Sequence, residues 1–362
     1  MSVAALIQQS HDDKEAWRYT SLADFAAQAW GAPTVAAMPE LPAPLTRHRL
    51  VIVDGVFRDD LSARQELPNE FFDRCEEKDN CYALTLWNRT CLAIDPIEVL
   101  FVNTHQVAAN EATTKIKIAL GKSSRLTLIE QHVGLNGAAS ARLIEMDIEL
   151  DAQAKLVHGK IVTGGQSSLH HARAMVRVAA GAFYDHFALV AGGKLVRCEK
   201  EVALVGEMAE ARFSGVMLLR GSDHGDITTL VRHLAPHGIS RQVCKTVLAD
   251  KARGVFAGKV FVDQTAQKTD AYQLCRALLL SDQAEMDAKP ELEIYADDVK
   301  CSHGTAIGDL DDKALFYLLS RGIDPDAARA MLVEAFVGEL VDTIQSPDLA
   351  DAVRDEVQKW LA

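Results

Sequence analysis

Short runs in which polar and apolar residues alternate fill the middle of the chain, from about residue 82 to residue 295. Alternation with a period of two is typical of β-strands, because successive side chains of a strand point to opposite faces. The stretch 66–80 is more highly charged and indicates a helix or irregular structure. The runs that we predict as strands are 49–57, 99–103, 115–120, 125–133, 141–150, 155–162, 174–183, 215–219, 259–263 and 291–297.

Clusters of small, turn-forming residues precede many of these runs. A corner followed by a short strand, repeated along the chain, is typical of a parallel β-helix, in which each coil packs against the next. An antiparallel sandwich also has many short strands, and the irregular spacing leaves both folds open. The scarcity of Asn-Gly and Asp-Gly hairpin turns favours the β-helix. The clusters are 121–124, 151–154, 180–182, 191–193 and 206–209.

Helical patterns flank this region on both sides. The first 30 residues are predicted to be helical, and four of the ten prolines then fall between Pro33 and Pro44, which indicates a linker over 31–45. From Ile307 onwards the pattern is helical again. We therefore expect an N-terminal, mostly helical region at 1–80, a β-helix core at 81–304 and a C-terminal helical domain at 305–362.

The C-terminal helices carry clear start and stop signals. Asp309 or Asp311 can cap the first of them, and Gly322 is suited to its end. Asp324-Pro325 and Ser346-Pro347 are suited to the starts of the next two. The helix from residue 325 has a wide apolar surface, which predicts burial on two sides. One side can pack against a partner protein, or both can pack within this chain.

Composition and charge narrow the class of protein. The 362 residues carry a formal net charge of −13, which argues against nucleic acid as the main partner. No apolar stretch is long enough for a membrane span, and the N-terminus lacks the features of a signal peptide. The seven cysteines have irregular spacing, which indicates free thiols in a reducing compartment, the cytoplasm.

Familiar catalytic motifs are missing from the sequence, and the histidines give only weak signals. There is no P-loop, no GxGxxG that opens a βαβ unit, no GxSxG and no HExxH. The histidines at 158, 170 and 171 are more typical of surface or hydrogen-bonded core positions than of metal ligands. A second cluster contains more potential metal ligands: Asp223, His224, Asp226, His233 and His237. It gives only a weak metal hypothesis, because imidazoles on strands also form hydrogen bonds along a stack.

Cys301 and His303 lie two residues apart where the β region gives way to helices. A thiolate and an imidazole together suit zinc or the iron of an iron–sulfur cluster. A complete site needs three or four ligands, so two are not enough. The residues themselves leave two alternatives open: part of a metal site, or an ordinary strand end with a buried cysteine.

Longer motifs carry a family resemblance. The stretch 270–323, with 252–273 and 235–248, closely resembles the SufB/SufD family of iron–sulfur cluster assembly proteins, and KEAWRYTSL at 14–22 is similar to a signature of that family. The sequence Cys-Ser-His-Gly at 301–304 resembles SufD, whereas SufB typically has Glu before the histidine and Glu-Ala after it. The length of the chain also suits SufD.

The resemblance implies a fold and a function. The fold would be a central right-handed parallel β-helix flanked by helical regions, in a mixed β and α class. The chain would be a non-catalytic scaffold that pairs with SufB through the ends of two β-helices. A nascent iron–sulfur cluster would form at that interface, with sulfur supplied through SufB by a cysteine desulfurase system. Reduced FAD is associated with the whole complex, although no flavin motif is evident in this chain.

The resemblance also implies roles for individual residues. His303 matches the interfacial histidine that serves cluster assembly together with a SufB cysteine, and Cys301 matches a neighbouring cysteine with a less defined role. The C-terminal helical domain would dock the ATPase SufC, with Phe316, Tyr317 and Phe336 as contact candidates. ATP-driven movement of that domain would then rearrange the interface that holds His303.

Two alternatives remain beside this interpretation. The chain can be a SufB-like subunit or a homodimeric scaffold. More remotely, it can be a β-helix hydrolase or lyase that acts on carbohydrate, which would need paired carboxylates on one face. Asp297 and Asp298 are adjacent in sequence and would point to opposite faces of a strand, which weakens the enzyme interpretation.

Overall fold

The computed structural model describes residues 1–31, 41–64, 71–78, 81–91, 94–104, 110–134 and 139–362. Within these residues the chain forms a β-solenoid, in which successive strands alternate between two sheets. From Ile97 onwards every strand pairing is parallel, while short antiparallel pairings occur near the start of each sheet. The parallel pairings confirm the β-helix and exclude the antiparallel sandwich.

The first sheet has ten strands in the described residues, with the order β19-β17-β15-β13-β11-β9-β7-β5-β1-β2. Their bounds are β1 His48–Val53, β2 Val56–Phe57, β5 Ile97–Asn103, β7 Arg125–Gly134, β9 Lys155–Thr163, β11 Phe183–Ala191, β13 Glu210–Leu219, β15 Ile239–Leu248, β17 Asp270–Leu279 and β19 Lys300–Gly308.

The second sheet has nine strands in the same part of the chain, with the order β18-β16-β14-β12-β10-β8-β6-β4-β3. Their bounds are β3 Phe71–Lys78, β4 Cys81–Asn88, β6 Asn110–Leu120, β8 Ser140–Leu150, β10 Ser168–Val178, β12 Leu195–Leu204, β14 His224–His233, β16 Arg253–Val262 and β18 Glu285–Ile294.

Alternate residues of both sheets meet inside the solenoid, as the period-two pattern predicts. Leu126 of β7 and Ile144 of β8 belong to the same buried apolar cluster, which extends through both sheets. The intervening residues face outwards, where they meet either solvent or the flanking helices. The interior, which we call the lumen, is therefore filled by side chains from both sheets.

One column of corners joins the coils. Ser123, Gln153, Met208, His237 and Lys268 all adopt a positive φ of 59–62°, and Gly181 completes the series with φ 63°. The N–H of each donates a hydrogen bond to a carbonyl of the following coil, as from Gln153 to Ala180 at 2.9 Å. These bonds offset the cost of the left-handed conformation for residues with a side chain. The clusters predicted as corners at 121–124, 151–154, 180–182 and 206–209 are confirmed.

The structure corrects two predicted elements. The charged stretch 66–80 contains a strand, β3, rather than a helix, because residues 71–78 pair with β4 along their whole length. The run 174–183 is not one strand, because β10 ends at Val178 and β11 begins at Phe183, with a corner between them. Of the predicted linker at 31–45, residues 32–40 lie outside the described part of the chain.

The N-terminal helices cover the outer face of the second sheet. Helix α1 spans Val3–Asp12 and the short helix α2 spans Ala23–Ala26. Val3, Leu6 and Phe25 pack against outward-facing Leu143 and Leu169 of the sheet. This packing anchors the N-terminal segment to the solenoid.

Three C-terminal helices follow β19: α3 Asp312–Ser320, α4 Pro325–Val341 and α5 Pro347–Leu361. The N-caps are Asp311, Asp324 and Ser346, and Gly322 has φ 81° after α3, so the predicted start and stop signals are confirmed. Val337 of α4 is buried in the cluster formed with the outer face of the first sheet. The opposite apolar side of α4 is partly open, with Met331 exposed.

Two further observations concern membranes and thiols. In the described ranges no helix is both long and apolar enough to cross a bilayer. Five cysteines whose side chains the structure describes are unpaired thiols: Cys91, Cys198, Cys244, Cys275 and Cys301.

Candidate functional site

The solenoid ends at an uncovered rung formed by β18 and β19. Each is the last strand of its sheet, so one edge of each strand has no neighbouring strand among the described residues. Most residues of β19 are exposed, and those of β18 are only partly buried. Ile294, Tyr295 and Ile307 leave a substantial apolar surface at this end, with 39–58% of each residue exposed. Such an edge is a template for pairing with another chain.

Cys301 and His303 lie on the same face of β19, the face that continues the lumen. The register pairs Cys301 with Ala271 of β17, and His303 with Gln273. Ala271 and Gln273 are fully buried lumen residues. Because a further coil is absent above β19 in the described chain, the His303 side chain is exposed rather than buried.

The environments of the two candidate ligands differ. Cys301 is half-buried and packs against an apolar cluster that includes Ala271 and Ala296. Burial raises the pKa of its thiol above the usual value, although a backbone hydrogen bond from Ala271 opposes the shift. A raised pKa keeps the thiol protonated, which weakens it as a metal ligand. His303 is the more accessible of the two.

Gln273 forms the floor beneath His303. It is fully buried, and neither its amide oxygen nor its amide nitrogen has a hydrogen-bond partner in the described residues. The amide extends across the lumen towards Gly258 of β16, where an added Cβ would lie 3.0 Å from Gln273 Nε2. Unpartnered buried amides are rare in folded proteins, and each needs a specific explanation.

Helix α3 follows β19 after three residues and presents exposed aromatic side chains. Phe316 and Tyr317 are 72% and 57% exposed, and none of the residues of α3 is buried. The third aromatic candidate, Phe336 of α4, is half-buried, and its ring lies against the cationic groups of Lys245 and Arg276. The three aromatic residues therefore do not have equal access to a partner.

The motif at 14–22 serves as an anchor for the N-terminal segment. The ring of Trp17 lies 4.2 Å from the guanidinium of Arg197, which also forms an ion pair with Asp226 and donates a 2.8 Å hydrogen bond to the carbonyl of Ala16. Thr20 donates a hydrogen bond to Asp226. Trp17, Thr20, Arg197 and Asp226 are all buried, so the motif has a structural role on the outer face of the second sheet.

The weaker cluster of candidate metal ligands is not brought together. His224 and Asp226 face outwards beneath the N-terminal segment, whereas His233 faces the lumen and contacts Ser240 at 2.8 Å. No group of three or more histidine, cysteine, aspartate or glutamate residues in the described ranges is arranged to hold a metal ion. Any metal site that uses His303 therefore needs ligands from elsewhere.

Charged residues inside the lumen were not recognised in the sequence pattern. Glu130 is fully buried and contacts His132 at 3.0 Å, Lys160 at 3.2 Å and also His158. The cationic and imidazole neighbours hold the pKa of Glu130 well below its usual value, against the effect of burial, which acts in the opposite direction. The available signal is positional: Glu130, His158 and Lys160 occupy inward positions of otherwise apolar alternating runs.

Comparison with known proteins identifies the family. The family model described as the SUF system FeS cluster assembly SufBD core domain matches residues 101–336, about two thirds of the chain. The chain belongs to the SufBD family. The SufBD core therefore includes both strands of the uncovered rung and reaches into α4.

Individual relatives support the same assignment. SufD of Escherichia coli is 35% identical over 69% of this chain, and the match covers 60% of the length of that protein. A SufBD family protein of Synechocystis is 27% identical over 95% of this chain and 86% of its own length. A SufBD family protein of Mycobacterium tuberculosis is 26% identical over 97% of this chain. This SufBD protein is thus similar to SufD, and the match spans less than two thirds of the length of that iron–sulfur cluster assembly protein.

Proposed function

We propose that this SufD-like chain is a non-catalytic scaffold subunit, which pairs with a SufB-like chain through the uncovered rung. The observation that carries the proposal is that β18 and β19 end the solenoid with free edges and exposed apolar residues, and that His303 lies on this same surface. Pairing of a second solenoid there would satisfy the backbone groups of both edges and bury Ile294, Tyr295 and Ile307.

The nascent iron–sulfur cluster would be assembled at this interface as cargo. His303 would be the ligand from this chain, and a thiolate of the SufB-like chain would supply another, because an imidazole and thiolates suit the iron of such a cluster. Cys301 is the lesser candidate, since its thiol is packed against apolar residues and its pKa is raised. Reduced FAD would belong to the assembled complex rather than to this chain.

The C-terminal helices would dock a SufC-like ATPase. Phe316 and Tyr317 are exposed on α3, while α4 and α5 are held on the first sheet by the apolar cluster that includes Val337. Only residues 309–311 separate β19 from α3, so a displacement of α3 by the partner would act directly on the strand that carries His303. Hydrolysis of ATP by the partner could thereby open or close the assembly interface. We retain Phe336 as a weaker contact candidate.

The test is reconstitution of the complex from this chain and the SufB-like and SufC-like proteins of the same organism. The three chains are co-purified, and cluster formation is followed anaerobically by absorbance and by iron and sulfide content. We expect His303→Ala to lower the cluster yield at least tenfold, whereas His303→Cys retains part of it. The matched control is Ser302→Ala, which changes the adjacent outward-facing residue of the same strand.

The outcomes separate the proposal from its alternatives. Complex formation should survive His303→Ala, because one imidazole rarely dominates a large interface. An unchanged cluster yield would remove His303 as a ligand. Self-association of this chain through the rung, without a SufB-like partner, would instead support a homodimeric scaffold.

A further inference from the structure

A small cavity lies in the lumen below the uncovered rung, and its wall extends from β11 to β16. Its volume is about 20 Å³, which is enough for a single water-sized species. Strands of both sheets contribute to its wall. Gly215 leaves room for Ile227 from the opposite sheet, because a Cβ added at position 215 would lie 2.9 Å from the end of the Ile227 side chain. The residues of the wall that carry a polar or thiol group are His186, Cys198, Lys200, Ser214, Thr229, Gln242 and Cys244.

Lys200 brings to this cavity a buried ammonium that has no direct ion pair in the described part of the chain. Its side chain is 8% exposed in an inward position, and it has no ion-pair partner among the described residues. Glu130 is the carboxylate whose charge favours the Lys200 ammonium, but that carboxylate is already bound by Lys160, His132 and His158. A buried ammonium without a counter-ion is unfavourable, so the site has a deficit of negative charge.

Two further groups with hydrogen-bonding nitrogens line the same cavity. The amide oxygen of Gln242 accepts a 2.5 Å hydrogen bond from Thr229, which leaves its Nε2 without a partner in the described chain. Nε2 of His186 likewise lacks a partner there. Gln242 is fully buried and His186 is 3% exposed, so bulk water does not satisfy these atoms.

The Cys198 thiol does not supply the missing charge. Burial raises the pKa of Cys198 above the usual value, so this residue remains a neutral thiol near neutral pH. The hydroxyl of Thr229 is already used as a donor to Gln242. The cavity wall thus combines a cation with the Gln242 amide donor, and Nε2 of His186 is a second donor in the tautomer that carries its proton there. A water molecule could accept these hydrogen bonds but could not balance the charge.

We propose that this lumen cavity is a binding site for one small monovalent anion, held by the Lys200 ammonium with Gln242 Nε2 and His186 as hydrogen-bonding partners. The volume limits the ligand to a species of about the size of water, of which chloride is the common example. Phosphate, sulfate and carboxylates are too large. The inference does not depend on the proposed function, because it concerns the interior of the isolated chain.

The direct test uses bromide as a heavy substitute for chloride. The full chain is refolded and crystallised in sodium bromide, and anomalous diffraction is measured at the bromine edge. We expect an anomalous peak inside the lumen beside Lys200. Electron density for a water molecule at that position, without an anomalous signal, would overturn the proposal. This measurement needs no variant, so it does not depend on the folding of one.

A solution experiment adds a variant that removes the charge. Thermal unfolding is measured at pH 7 and constant ionic strength while chloride replaces the bulky anion gluconate. At chloride concentrations above the dissociation constant, Tm of the wild-type chain should rise by about 2 °C for each tenfold increase in the chloride concentration. Lys200→Met should abolish the chloride dependence, and the surface change Lys155→Met should retain it. An equal dependence in all three proteins would contradict specific binding at Lys200.

Discussion

Gln273 lies directly beneath His303 in the ladder of the first sheet, and both polar atoms of its buried amide lack a partner among the described residues. Burial without hydrogen bonds costs about 1–3 kcal/mol for such a group. A cost of this size at the floor of the candidate site indicates a functional reason for the residue, since an apolar side chain of the same length would pack there more favourably.

We therefore expect Gln273→Met to stabilise the isolated chain by about 1–2 kcal/mol and to lower the rate of cluster formation in the reconstituted complex. Urea unfolding and the reconstitution assay measure the two effects. The exposed change Gln283→Met is the control and should alter neither. A destabilised Gln273→Met chain would show that the amide is satisfied within the folded protein.

The stability of the chain should fall in mild acid because several histidines are buried in the neutral form. Burial lowers the pKa of His132 to about 3, and of His224 and His233 to about 4, from an ordinary value of 6.5. As the pH falls below 6.5, these histidines bind protons in the unfolded chain but not in the folded chain. The stabilisation that comes from keeping them neutral in the folded chain is therefore complete above that pH and is lost progressively below it. Each such histidine contributes about 1.4 kcal/mol per pH unit.

This pH dependence can be measured by urea unfolding at several values between pH 7 and pH 5. His132, His224 and His233 together should lower the free energy of unfolding by about 3–4 kcal/mol per pH unit between pH 6 and pH 5. Burial also lowers the pKa of His158, His170 and His186, so the total decrease should be larger. His233→Gln removes one titrating group and should reduce the slope by about 1.4 kcal/mol per pH unit, which is the contribution of one proton. His11→Gln changes an exposed histidine and is the matched control. A flat profile would show that these imidazoles titrate normally.

The anchor of the N-terminal segment depends on Trp17. Replacing Trp17 by Ala removes the ring that packs on Arg197 and His171, and it opens the buried ion pair of Arg197 with Asp226 to water. We expect a loss of about 3–5 kcal/mol in the free energy of unfolding. Limited proteolysis should also become faster within residues 1–26, whereas the exposed change Lys14→Ala should affect neither measurement.

The aromatic residues of α3 should matter for binding but not for folding. Phe316→Ser together with Tyr317→Ser should change the free energy of unfolding by less than about 1 kcal/mol, because both side chains are largely exposed. The same double variant should weaken binding of the SufC-like partner at least tenfold in calorimetry. Lys313→Ser on the same helix is the control. Undiminished affinity would place the ATPase on another surface.

Much of the fold follows from the sequence because a local pattern specifies it. Alternation predicts strands, small residues predict corners such as 151–154, and the N-caps Asp324 and Ser346 predict where helices begin. These signals depend on near neighbours in the chain. The charged strand β3 was missed for the opposite reason: its structure depends on pairing with β4, which no local pattern of residues 66–80 shows.

The sequence by itself determined the family, and through that resemblance it implied the β-helix and His303 as the leading candidate ligand. Only the tertiary structure decided which residues meet. The parallel register places Gln273 under His303, although 30 positions separate them, and it brings Lys200 and Gln242 from opposite sheets to one cavity. The physical reason is that each coil returns the chain to the same wall after about 30 residues. Neighbours in the lumen are therefore set by the length of the corners and the register of the sheets, and neither can be read from a period-two pattern.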